Sequence, residues 1–180
     1  NHANITANIT TKALTVSGIT TSNKTYDGNT VATLNTSSVL YSGLVAGDTF
    51  SGSYTGAFAN ANVGTGKTVT ISPTYSGADV SNYNIANHST ITADISKKAL
   101  TATASASNKV YNGNNTATTT LTFSGLIGSE TLGQSVGSTF NNKNVGSSKT
   151  VTVNSITLSN GSNGGLAANY SINTGQTTIA

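Results

Sequence analysis

The chain has 180 residues, only 7% of them charged, and its eight Lys against five acids leave a net charge of +3 with no Arg at all. Soluble domains ordinarily carry about 25% charged residues; here Thr, Ser and Asn (33, 24 and 23 residues) supply the polarity instead. Scattered lysines without arginine give no bidentate phosphate or base recognition, so no nucleic-acid partner is expected; the absence of Cys excludes disulfides, and without an apolar run of about 18 residues the fragment has no membrane span.

Residues 1–10 read Asn-His-Ala-Asn-Ile-Thr-Ala-Asn-Ile-Thr and return, 86 positions later, as Asn87-His88-Ser89-Thr90-Ile91-Thr92-Ala93-Asp94-Ile95-Ser96. The chain therefore opens on what reads as the closing strand of a preceding repeat. Strands follow near residues 13–19, 30–35, 38–44, 49–56, 67–75, 82–86 and 89–95. The evidence for them is period-two alternation, as where Val69 and Ile71 interleave with Thr68 and Thr70; β-branched residues alternating with polar ones mark a strand with one buried face. Only residues 57–62 would tolerate a helical turn. Residues 89–104 contain neither Gly nor Pro, so a last strand running almost directly into the next first strand predicts a short, stiff joint.

The second half repeats the first. Lys12-Ala13-Leu14-Thr15 returns as Lys98-Ala99-Leu100-Thr101, Lys67-Thr68-Val69-Thr70 as Lys149-Thr150-Val151-Thr152, and Asn82-Tyr83-Asn84-Ile85 as Asn169-Tyr170-Ser171-Ile172. This divides the chain into residues 1–10, a first repeat domain at 11–96 and a second at 97–180. Short strands with regular turn signals predict an all-β chain of two tandem immunoglobulin-like β-sandwich domains. β-grasp repeats are the alternative, and they would need a helix that the periodicity does not supply.

The strongest recurring motif is Lys24-Thr25-Tyr26-Asp27-Gly28-Asn29, which returns as Lys109-Val110-Tyr111-Asn112-Gly113-Asn114. Asp-Gly and Asn-Gly are turn dipeptides, because Gly accepts positive φ and the Asx side chain closes local hydrogen bonds. The motif is read as an architectural turn whose Tyr packs its ring on a sheet. Asn112 stands where copy one has Asp27, so no role requiring that carboxylate is shared by both copies. The sharpest chemical candidate is a Lys–Asn isopeptide crosslink, which needs an amine, an amide and a carboxyl to move protons. Copy one offers Lys67, Asn62 and Asp48, and copy two offers Lys149, Asn144 and Glu130. Aromatic size is kept at Tyr41/Phe123, Phe58/Phe140, Tyr26/Tyr111 and Tyr83/Tyr170, as packing residues would be. His2 and His88 are one repeat position in two copies, the acids form no calcium loop, and no base stands by a nucleophile in both copies. No metal, cofactor or enzymatic activity is expected.

Taken together, Lys-Ala-Leu-Thr, Lys-x-Tyr-Asp-Gly-Asn, Asn62-Val63-Gly64 with Lys67-Thr68-Val69-Thr70, and Asn-Tyr-x-Ile resemble the YDG domain and the related MBG domains over essentially all 180 residues. These are tandem repeats of very large bacterial surface and secreted proteins, including filamentous-haemagglutinin-like adhesins. The resemblance implies an extracellular stalk or spacer on the bacterial cell surface, whose partners are neighbouring repeats of the same polypeptide. The alternatives are an adhesive module for a host glycan or matrix protein, and a filament subunit in which residues 1–10 complete a neighbour's sheet.

Overall fold

The computed structural model describes residues 2–86, 90–172 and 177–179, the last three by their backbone; residues 1, 87–89, 173–176 and 180, and with them His88, lie outside the described residues. The chain divides into two compact units. The first comprises Asn1–Lys24 and Asn29–Asp94, and the second comprises Thr25–Gly28 and Ile95–Ala180. The four residues of the first Tyr-Asp-Gly turn thus belong to the second unit.

Among the described residues sixteen strands follow in chain order: β1 (Lys12–Ser17), β2 (Thr20–Thr21), β3 (Lys24–Thr25), β4 (Val31–Ala32), β5 (Leu34–Asn35), β6 (Leu40–Ser42), β7 (Ser51–Phe58), β8 (Gly64–Ser76), β9 (Tyr83–Ile85) and β10 (Ile91–Ser96). Then come β11 (Lys98–Ala106), β12 (Thr119–Ser124), β13 (Leu132–Phe140), β14 (Thr150–Asn160), β15 (Tyr170–Ile172) and β16 (Thr177–Ile179).

In the first unit β1 lies between β6, antiparallel with Val16 opposite Tyr41, and β9, parallel with Lys12 opposite Tyr83. A second sheet runs β3-β10-β8-β7-β4, with β7 and β8 antiparallel from Ser51–Ser76 to Phe58–Val69. The second unit repeats the plan. β11 lies between β12, antiparallel, and β15, parallel with Lys98 opposite Tyr170. β13 and β14 pair over nine residues with an irregularity at Gly137/Ser138, and β14 also takes β16.

Alternation decides which residues turn inward. Leu14 and Val16 of β1, Val151 and Val153 of β14, and Ala93 and Ile95 of β10 are all buried, while their neighbours along each strand face out or sit at the margin. Burying such a side chain is worth about 1.5–3 kcal/mol. In the second unit Ala106 of β11 packs on Ala117, Phe140 and Val151, which closes one sheet against the other.

The chain is therefore all-β in two tandem modules, as the alternation required. Its only helical turns among the described residues are three-residue 3-10 segments at Val80–Asn82 and Ala167–Asn169, so the β-grasp alternative has no helix to build on. The helical turn tolerated at 57–62 is replaced: Ala57 and Phe58 end β7, and Asn60 Oδ1 accepts from the Asn62 N–H at 3.1 Å in a tight polar turn.

Candidate functional site

The recurring turn is held by its lysine. Lys24 Nζ donates to Asn29 O (2.8 Å), Asn29 Oδ1 (3.0 Å) and Val31 O (3.1 Å), and it sits 5.4 Å over the Phe58 ring. Lys109 repeats each contact, with Asn114 O (2.8 Å), Asn114 Oδ1 (2.8 Å), Thr116 O (3.0 Å) and the Phe140 ring (5.7 Å). An ammonium has three N–H donors, and each finds an acceptor. Gly28 (φ 77°) and Gly113 (φ 82°) make the reversal in the left-handed region. Asp27 is exposed, and its counterpart Asn112 accepts from the Asn114 N–H through Oδ1 at 3.3 Å. The turn therefore needs an Asx side chain and not specifically an acid.

The tyrosine of that turn has two fates. In the second unit the Tyr26 hydroxyl donates to Glu130 Oε1 at 2.6 Å, and Tyr170 donates to Glu130 Oε2 at 2.7 Å. The two rings meet edge to face at 5.4 Å. The Ile127 N–H donates to the Tyr170 hydroxyl at 3.0 Å, and the Tyr26 N–H donates to Ser96 O at 2.9 Å. Gly28 lies so close to Ile127 that a Cβ there would stand 2.8 Å from Cγ2. Tyr26 and Tyr170 are 4% and 1% exposed. Burial, followed by the hydrogen bond to Glu130, pushes the Tyr26 hydroxyl up to about 12, while a hydrogen bond from the buried Asn169 side chain works the other way. Burial likewise raises Tyr170, against the pull of the Ile127 N–H.

Tyr111, the same residue of the second repeat, is 57% exposed, and nothing lies within 4 Å of where a Gly113 Cβ would be. Beside it opens a cleft of about 620 Å³ lined by Asn108–Tyr111 on one side and Val145–Lys149 on the other, with Phe140 among its walls.

The first unit carries its own acid–tyrosine pair. Tyr83 donates to Asp48 Oδ2 at 2.5 Å, and the Val45 N–H donates to the Tyr83 hydroxyl at 2.9 Å. The Asp48 hydrogen bond raises the Tyr83 hydroxyl above its ordinary value, with burial adding to it.

The residues considered for a crosslink fall into two groups. Asp48 and Glu130 are taken up by tyrosine hydroxyls. Lys67 Nζ, on β8, donates to Asn60 Oδ1 at 2.7 Å, and Lys149 Nζ, just before β14, to Asn142 Oδ1 (2.5 Å) and Asn144 O (2.6 Å). Asn62 sits in the loop between Asn60 and Lys67, its N–H on Asn60 Oδ1. No group of three or more potential metal ligands gathers among the described residues.

Sequence reasoning found the turn but missed its lysine clamp and the tyrosine–carboxylate–tyrosine cluster. The signal was present in the matched recurrence of Asp48/Glu130 with Tyr83/Tyr170 and Tyr26/Tyr111. In the cluster both carboxylate oxygens and both hydroxyls are committed to one another, an arrangement that holds segments together rather than moving protons.

A repeated all-β module with the same lysine-clamped turn in each copy defines the class as a tandem repeat domain. The YDG domain model matches residues 10–93 and again 96–179, nearly the whole chain, and the chain belongs to the YDG domain family. Neither the curated proteins nor the solved structures contain a significant match.

Proposed function

We propose that this chain is a structural spacer: two links of an extended bacterial cell-surface adhesin or filament, working outside the cell by giving length. The observation that carries the reading is the composition of the second unit, which includes Thr25–Gly28 of the first sequence repeat. A module completed by residues borrowed from its neighbour in sequence suits serial use in an array. The hydroxyl- and amide-rich surface, with 7% charge and no cysteine, fits an extracellular setting without disulfides. No helix among the described residues is long and apolar enough to cross a membrane.

The test is to place one, two and four copies of the 180-residue chain between a surface anchor and a reporter on bacteria and to measure the reporter's height. The spacer reading expects height to rise in proportion to copy number. Height independent of copy number overturns it. Saturable binding of the isolated chain to a glycan array or to matrix protein replaces it with the adhesive-module reading.

A further inference from the structure

The loop between β14 and the second 3-10 turn reads Asn160-Gly161-Ser162-Asn163-Gly164-Gly165 and holds two of the chain's three Asn-Gly dipeptides. A glycine leaves its nitrogen unshielded by any side chain, so that nitrogen can attack the amide of the Asn before it. The two sites are built differently. Asn160 is the last residue of β14, opposite Leu132. Its Oδ1 accepts from the Ala167 N–H at 2.9 Å, and the Gly161 N–H donates to Gly165 O at 2.9 Å. A Cβ on Gly161 would stand 2.1 Å from Thr131 O, so the backbone there is packed as well.

Asn163 and Gly164 form the exposed tip of the loop. Both have left-handed φ, 55° and 87°, and the Gly165 N–H donates to Ser162 O at 3.1 Å, which closes a type I′ turn. The Gly164 N–H donates to nothing among the described residues. A Cβ on Gly164 would meet nothing within 4 Å. In the first repeat, which another repeat follows, Gly77 and Ala78 of the matching loop are exposed too. The openness therefore belongs to the module and not to its place in the chain.

We propose that Asn163 is a site of spontaneous deamidation, and that its conversion loosens the seat of Glu130. The Gly164 nitrogen gives its proton to hydroxide and bonds to Asn163 Cγ. The Cγ–Nδ2 bond breaks, and the nitrogen leaves as ammonia with a proton from water. A second water opens the five-membered imide at either carbonyl, leaving aspartate or isoaspartate at 163. Ring closure requires the turn to open, at the cost of the Gly165–Ser162 bond and of the bond from Asn163 Nδ2 to Ser129 O (2.9 Å). At Asn160 it would cost the end of the β14 ladder and both bonds that hold Asn160 and Gly161. At the third dipeptide, Asn112-Gly113, conversion to aspartate yields the residue that the first copy already carries at Asp27.

The loop grips both sides of Glu130. Asn163 Nδ2 holds Ser129 O, while the Ser162 N–H donates to Thr131 Oγ1 and the two hydroxyls pair, both at 2.8 Å. Glu130, between Ser129 and Thr131, accepts from both tyrosine hydroxyls. A carboxylate at 163 has no proton for Ser129 O, and isoaspartate lengthens the backbone through the turn, so either product releases one side of that seat. The matching loop of the first repeat has no Asn-Gly and closes through Asp79 and the Thr49 N–H. The change therefore falls on the second module.

Peptide mapping of the 180-residue chain held for weeks at mildly alkaline pH tests the site, beside a sample unfolded in guanidinium. Unfolded, Asn160 and Asn163 should convert at similar rates. Folded, Asn163 should outpace Asn160 roughly tenfold or more, the factor supplied by one or two further hydrogen bonds that must open, and its rate should rise with pH. An Asn163 as protected by folding as Asn160 overturns the site. The melting temperatures of the aged chain and of Asn163→Asp should both lie below that of the fresh chain. Asn163→Gly keeps the left-handed φ, cannot react, and should lose most of the fall on ageing. A melting temperature unmoved by Asn163→Asp, or by ageing once Asn163 has converted, overturns the loosening. Neither readout depends on reporter height, so this inference and the spacer reading can fail separately.

Discussion

Tyr26 and Tyr111 hold the same place in the same six-residue motif, each behind an identical lysine clamp. One is 4% exposed and bonded to a carboxylate, and the other is 57% exposed. The turn is therefore a local structure that forms without its docking partner, and the burial of its tyrosine is a tertiary event. The two interiors differ as well. Around Tyr83 the first unit gathers Tyr41, Phe50, Tyr54 and Tyr75 in edge and tilted contacts at 5.0–6.2 Å, with the Tyr54 hydroxyl donating to that of Tyr41 at 3.2 Å. The register pairs place Phe123, Leu132, Val136 and Leu158 at the matching positions of the second unit. One backbone plan thus accepts an aromatic or a largely aliphatic filling, since volume and patterning matter more than residue type. The loop joining β8 to the 3-10 turn is also closed differently. In the first unit Asp79 Oδ2 accepts from the Thr49 N–H at 2.8 Å, whereas in the second Thr131 Oγ1 accepts from the Ser162 N–H at 2.8 Å.

The equivalence of the two cores sets the largest expected effect. Leu14 and Leu100 are matched and buried at 0% and 5% exposure. Leu14→Ala and Leu100→Ala should each cost about 3 kcal/mol in urea unfolding, and a large inequality between them would break the comparison at its root. Next comes the asymmetric pair. Tyr26→Phe leaves Glu130 Oε1 without its donor and should cost about 2 kcal/mol. Tyr111→Phe should change stability by less than about 0.5 kcal/mol.

The same asymmetry has a pH signature. The Tyr26 hydroxyl is raised in the folded state from 10.0 to about 12, so the fold favours its neutral form. Its contribution is fully present below pH 10 and is lost as pH rises from 10 towards 12. Thermal melts across that window should fall less steeply for Tyr26→Phe than for the wild type, and equal slopes would refute the linkage. Gly28→Ala and Gly113→Ala share a strained positive φ costing about 1 kcal/mol, but only the former meets Ile127. The difference between their melting temperatures measures the docking contact alone. The symmetric effect is modest: Lys24→Met and Lys109→Met should cost about 1 kcal/mol each, equal within error, by circular dichroism melts.

Much of this was legible beforehand because it is local. Alternation at Val69/Ile71 and Val151/Val153 located β8 and β14, and the Asp-Gly and Asn-Gly dipeptides located the turns. What escaped was tertiary. Alternation does not carry the direction of a partner strand, so the parallel pairing of β1 with β9 left no trace in it. Asp48 and Glu130 were grouped with nearby Lys and Asn because acid, amine and amide suggest a reaction, whereas their partners are tyrosines 35 and 40 residues further along the chain. At Tyr26 the compact units and the sequence repeat divide the chain differently. Self-similarity assigns a residue to its copy, and the second unit claims it.

The parallel pair has a mechanical consequence. Lys12 enters the pair level with Tyr83, and Ile85 leaves it level with Leu14. Tension drawing Lys12 and Ile85 apart therefore slides the two strands lengthwise, so the rungs between them bear the load together instead of parting one after another like a zip. The second unit repeats this with Lys98 and Ile172, and stress transmitted along such links would meet shear in each of them.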